Sequence, residues 1–149
     1  MIKKRRYVPD LVSDMAVCDA NFLRLHRLFP RMFEDKSIVI GVRDTTDEMA
    51  IVTIQVKSQH PYTTILSIQV EIEIAQPWIK WPRLEARVYQ DLNTAEVISI
   101  GEHRTLKPRY PTPNPHMYQP DEKSQINRFF GELLNFCLLY GHALDRTVS

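Results

Sequence analysis

Residues 66–74 constrain the fold more than any other segment. Leu66, Ile68, Val70, Ile72 and Ile74 alternate with Ser67, Gln69, Glu71 and Glu73. Successive side chains of a strand point to opposite faces, so this pattern is a strand with one apolar and one wet face. Burying its five aliphatic side chains is worth on the order of 10 kcal/mol before chain entropy is subtracted. A lone strand cannot realise that energy. It needs neighbours in a sheet and a second layer laid over the apolar face.

The neighbours are legible on both sides. Ile38, Ile40 and Val42, then Ala50, Val52, Ile54 and Val56, carry strand signals separated by the turn chemistry of Arg43 to Glu48. After a break at Pro77 and Pro82, Leu84, Ala86 and Val88 alternate with Glu85, Arg87, Tyr89 and Asp91. Leu92-Asn93-Thr94 reads as a tight turn and Ala95 to Ile100 as the hairpin partner. These connections are too short for crossover helices, so the strands are expected to be antiparallel.

The second layer comes from the chain ends. Met15, Cys18, Phe22, Leu25 and Phe29 recur at helical steps from about Asp14, with Ser13 as cap and Pro30 as stop. Asn21, Arg24, His26 and Arg27 fall off that stripe, which leaves His26 solvated. A second helix starts at Pro120, with Asp121 and Glu122 complementing its dipole. Ile126, Phe129, Phe130, Leu133, Leu134, Cys137 and Tyr140 form its apolar stripe, and Gly141 suits its C-terminal cap. The expected fold is therefore one α+β domain over residues 1–149. It has two layers, helix, four- or five-stranded antiparallel sheet, then helix, with both helices on one sheet face. The opposite face is expected to meet solvent or a partner.

Composition removes several function classes. A net charge of +1 exerts no global pull on nucleic acid or membranes. Four isolated glycines make no phosphate-cradling loop or dinucleotide fingerprint. Cys18 and Cys137 lie on apolar helix faces and read as buried hydrophobes; a bridge between them depends on geometry that spacing does not fix. The run Lys3, Lys4, Arg5 and Arg6 is followed by Tyr7-Val8-Pro9-Asp10 rather than an apolar stretch, so it reads as a solvated tail and not a secretory signal. No segment has the apolar length of a membrane span. The expected location is the cytoplasm, with no membrane partner.

The chain also resembles a known family. The carrying residues are Tyr7-x-Pro9-Asp10, Asn21-Phe22, Tyr62-Thr63-Thr64 and Arg87-x-Tyr89-x-Asp91. They continue with Lys107-x-Arg109-Tyr110-x-x-Pro113-Asn114, Gln119-x-Asp121-Glu122-Lys123-x-Gln125-Ile126-Asn127-x-Phe129 and Cys137-Leu138-x-x-Gly141. Together they resemble the YqiB-like family of short bacterial cytoplasmic proteins, a domain of unknown function. The resemblance implies no activity, cofactor or catalytic residue.

Two constellations stand out as candidate sites. Arg87, Tyr89 and Asp91 share one strand face at steps of roughly 7 Å, where a cation, a phenol and a carboxylate could hold a ligand. The simpler reading is a polar surface with cross-strand pairs such as Arg87 with Glu71. The second is the proline-rich approach to the last helix, with Arg104, Lys107, Arg109, Tyr110, Asn114 and His116. Arginine can grip a phosphate with paired donors and Tyr or His can stack on a base. Asp121 and Glu122 oppose an anion there and can themselves pair with Arg109 or Lys107. His103, His116, Asp121 and Glu122 lack metal-ligand spacing, so no metal and no cofactor is expected. Trp78 and Trp81, in a proline-bounded connection, are expected to tuck over the edge of the core. The leading expectation is a non-enzymatic binding or adaptor domain using Arg87, Tyr89, Asp91, Lys107, Arg109, Tyr110, Asn114 and His116. Its partner would be a protein or a small anionic ligand. A nucleotide- or nucleic-acid-binding protein acting on a phosphorylated substrate is the alternative.

Overall fold

The alternating strand forms the middle of an antiparallel sheet. The structure is a computed structural model that describes residues 11–43, 48–73, 79–101, 104–105 and 120–144. Its elements in chain order are α1 (Leu11–Leu28), α2 (Met32–Asp35), β1 (Ser37–Arg43), β2 (Met49–Gln59), β3 (Thr63–Glu73), β4 (Ile79–Lys80), β5 (Leu84–Tyr89), β6 (Thr94–Ile100), β7 (Arg104–Thr105), α3 (Pro120–Tyr140) and β8 (Gly141–Ala143). The sheet order is β7-β6-β5-β3-β2-β1-β8, with β4 paired to β3 beside β5. The fold is α+β with an antiparallel sheet, and its inventory is larger than expected. Beyond β1, β2, β3, β5 and β6 there are three strands of only two or three residues and the short helix α2. Such brief elements leave no periodicity to read in a sequence.

Registers carry the apolar face across five strands. Leu66 lies beside Val56 and Ala86, Ile68 beside Ile54 and Leu84, and Val52 beside Ile40. Ala86 continues to Val97 and Val88 to Ala95. One extra residue at Ile98 lets both Val97 and Ile100 face the core, which is the work of a bulge. Asn93, at φ 54°, makes the left-handed turn between β5 and β6. Leu25, Phe29, Met32, Phe130, Leu134 and Cys137 join this face in one core cluster. Trp81 tucks against Phe129 with ring centroids 5.3 Å apart; Trp78 lies outside the described residues.

The two long helices run parallel. Ser124 Oγ donates to Asp14 Oδ1 (2.7 Å), Asn21 Nδ2 donates to the Asn127 carbonyl (2.9 Å), and Arg24 Nε donates to Asn135 Oδ1 (3.1 Å), so contacts advance together along both chains. The expected α1 stripe holds at Leu25 and Phe29, which are buried, and at Phe22, which packs on the core. The inward arc also takes in Asp14 and Asn21, while Met15 is 64% exposed. α1 leans on α3 and β6 together, which turns its buried arc toward Asn21. Ser13 falls inside the helix, because no breaker stands between Leu11 and Asp14.

Two close approaches use glycine. A Cβ on Gly131 would sit 2.6 Å from Asn21 Oδ1. One on Gly141 would meet the Cys137 carbonyl and, at 2.7 Å, Ile40 Cγ2. Gly141 therefore serves as a contact point where α3 turns directly into β8, and not as the left-handed cap expected.

The opposite sheet face is not uniformly wet. Val39 and Ile51 lie on it and are buried. The chain after β8 continues along the edge of β1: the Leu144 amide donates to the Val39 carbonyl (2.8 Å), and Leu144 Cδ1 comes within 3.2 Å of a Cβ built on Gly41, which lies on this face.

Asn127 fastens the second layer to the sheet. Its Oδ1 accepts the Val97 amide at 2.8 Å, and its Nδ2 donates to the Lys123 carbonyl at 3.1 Å. Asn127→Ala should cost about 1–3 kcal/mol, because it leaves a buried amide without a partner. Urea unfolding of the two proteins measures this.

Candidate functional site

The polar end of the sheet is built by two hairpins held side by side. β2 and β3 turn through His60-Pro61-Tyr62, and β5 and β6 turn through residues 90–93. The Gln90 amide donates to the Tyr62 carbonyl (2.9 Å) and Gln90 Nε2 donates to Thr64 Oγ1 (3.2 Å). Thr63 pairs with Tyr89 and Thr64 with Val88. The blocks Tyr62-Thr63-Thr64 and Arg87-x-Tyr89-x-Asp91, far apart in the chain, are therefore adjacent in space. Tyr62 is 67% exposed at the tip, beside exposed Asp91 and Leu92.

Below the tips, Glu96 is the hub. Its Oε1 accepts the Tyr89 hydroxyl at 2.8 Å, and its Oε2 lies 2.9 Å from Lys123 Nζ. The Lys123 and Glu96 side chains are 12% and 26% exposed, so solvent and salt screen this pair less than an open surface pair. Lys123 belongs to α3 and reaches around β6 to the outer face. Burial raises the Tyr89 phenol above its ordinary pKa, and the Arg87 hydrogen bond partly offsets that while Glu96 adds to it.

The sequence-predicted residues divide into two groups. Arg87 and Tyr89 share the outer face, but Arg87 stands opposite Ile65 and Glu96 rather than near Glu71. The cause is β4, which occupies the edge of β3 at Glu71. Asp91 leaves the face altogether, because β5 ends at Tyr89 and Asp91 sits in the turn. Lys107, Arg109, Tyr110, Asn114 and His116 lie outside the described residues. Glu96 and Lys123 were missed. Glu96 was within reach of the hairpin register, since a turn that pairs Tyr89 with Thr94 pairs Arg87 with Glu96. Lys123 left no such signal, because its role depends on how α3 docks.

Cys137 is buried and Cys18 half-buried. Burial, with Glu96 as the second cause, pushes Cys18 up to about 11 from 9.0, and burial pushes Cys137 up to about 12. Cys18 lies between the Asp14–Ser124 and Asn21–Asn127 contacts, while Cys137 lies beyond Asn135. At the rise of an α-helix that separates them by roughly 15 Å, too far for a disulfide. Among the described residues no cluster of His, Cys, Asp and Glu could hold a metal, and no helix is long and apolar enough to cross a membrane.

Comparison with known proteins gives a consistent family. The model of a family described as "Protein of unknown function (DUF1249)" matches residues 24–143. Relatives called "Uncharacterized protein YqiB", from Escherichia coli K12 and from the O6:H1 and O157:H7 strains, are 33% identical over 138 residues. The match covers 92% of this chain and 94% of each relative. No solved structure matches the chain.

Three outcomes follow. Both thiols should react with Ellman's reagent far more slowly in the native protein than in urea, with no oxidised monomer of altered mobility on a non-reducing gel. A raised thiol pKa leaves stability whole below pH 9 and erodes it as pH climbs toward 11 and 12, so thermal unfolding should fall along that alkaline limb. Glu96→Gln removes the charge that raises Tyr89, so the phenol should titrate at lower pH, read by ultraviolet absorbance.

Proposed function

This chain belongs to the DUF1249 family of unknown function, and we propose that it is a non-enzymatic binding or adaptor domain working through the hairpin end of its outer sheet face. The observation that carries the reading is the meeting of two separated blocks, Tyr62-Thr63-Thr64 and Arg87-x-Tyr89-x-Asp91, through the Gln90 clasp. A tip that presents exposed Tyr62, Asp91 and Leu92 on hydrogen-bonded hairpins is pre-organised for recognition, because little freedom is lost on contact. The acidic and basic groups behind the tip are engaged with one another, Tyr89 and Lys123 on Glu96, and the thiols are held protonated. That environment supports holding a shape rather than moving protons.

In this reading Arg87, Tyr89 and Asp91 act with Lys107, Arg109, Tyr110, Asn114 and His116, from the segment leading into α3. The partner is a protein surface or a small anionic ligand in the cytoplasm. Arg109→Ala and Tyr62→Ala should each weaken partner capture while leaving thermal unfolding nearly unchanged; Tyr62 stands exposed at the hairpin tip. Unfolding that collapses in Arg109→Ala would make that residue a structural ion-pair member. Titration with nucleotides and short RNA at two salt concentrations tests phosphate recognition, whose affinity falls steeply with salt. The expected result is no binding even at low salt.

A further inference from the structure

The solvent side of α1 is not polar, as that of a surface helix ordinarily is. Leu11, Val12, Met15 and Leu23 are exposed along it, Leu23 at 62%. Asp19, Leu23 and Arg27 follow one another at four-residue steps, so they stack on one stripe, and all three are exposed. Neither Asp19 nor Arg27 is in an ion pair among the described residues. The stripe is its own complement: a carboxylate, a leucine, a guanidinium. A two-fold axis through Leu23 sets leucine on leucine and pairs Asp19 with Arg27 twice.

We propose that α1 is the docking surface for a second copy of this chain, with the two helices antiparallel about Leu23. Charge complementarity selects this occupant. The outward stripe is acidic at Asp19 and basic in the last turn at Arg27, while Asp14 is taken up by Ser124 on the inward side. An antiparallel copy brings opposite halves together, whereas an anionic lipid surface would be repelled by the acidic half. The exposed run Leu11, Val12 and Met15 extends the apolar surface toward the start of α1. This docking surface lies on α1 and is separate from the hairpin end, so loss of one leaves the other to be tested.

Sedimentation velocity of the full chain is the test. The expected result is a concentration-dependent dimer with a dissociation constant on the order of 10 µM, as befits a contact of a few helical turns. Leu23→Asp should weaken it at least about tenfold, with helical circular dichroism and thermal unfolding retained. Asp19→Arg alone and Arg27→Asp alone should each dissociate the dimer, since each sets like charges together. An equimolar mixture of those two variants should associate again, because every facing pair is then opposite. A wild-type monomer at about 100 µM overturns the proposal. So does a dimer indifferent to Leu23→Asp, or a mixture that fails to associate. A monomeric wild type that sediments with anionic vesicles overturns it in favour of a lipid surface. Should Leu23→Asp fail to fold, the charge-reversal mixture still decides.

Discussion

The buried amide of Val97 sets the terms for the rest of the structure. Among the described residues, β6 is flanked on its far side only by β7, which pairs at Ser99 and Ile100. Val97 would otherwise keep an unpartnered donor beneath the helices, at a cost of about 1–3 kcal/mol. Asn127 answers with its side-chain oxygen, and in doing so fixes the rotation of α3 about its axis. The rotation then reaches α1. Asn21, fully buried, donates to the Asn127 carbonyl and accepts from Arg24 Nη1 at 2.8 Å. Asn21 fits only because residue 131 lacks a Cβ. One strand amide, two asparagines and a glycine thus form a single geometric statement.

Apolar burial and these polar contacts do different work. The core cluster of sheet aliphatics with Leu25, Phe29, Phe130 and Leu134 supplies the driving force, which is non-directional and scales with area. Nothing in that force chooses a parallel helix pair over an antiparallel one, since either covers the same face. Hydrogen bonds do choose. The ladder from Asp14–Ser124 through Asn21–Asn127 to Arg24–Asn135 is satisfied only when both helices run the same way at one register. Each bond adds roughly 1 kcal/mol when made and costs more when broken, so the sequence discriminates against the alternatives.

This division explains what was legible beforehand. Alternation in Leu66–Ile72 and the apolar stripe of α3 announced sheet, helix and core, because burial writes itself at a fixed period. Asn127 and Lys123 carry no period, and Asn21 looked like an off-stripe polar residue, since the stripe presumes a helix with one neighbour. α1 has two. The short strands β4, β7 and β8 were invisible for a related reason: two or three residues take their conformation from the strand they pair with. At the candidate site, Arg87 and Tyr89 were placed correctly by alternation alone. Asp91 was not, because alternation cannot announce where a strand stops and a turn begins.

The same geometry decides which part of the outer face is free. At the β1 end, the segment after α3 doubles back along β1, and His142 and Leu144 reach Gly41, beside buried Val39 and Ile51. That approach requires α3 to finish beside β1. At the β6 end, Lys123 reaches Glu96, which in turn holds the Tyr89 hydroxyl. Between these two limits the hairpin tips are exposed at Tyr62, Asp91 and Leu92, while the outer sides of β3 and β5 are half-buried and close completely at Ser67. A surface of that kind gains specificity from being bounded. Its edges are set by the packing that stabilises the fold, so a change that loosens the helix pair also blurs the surface it frames.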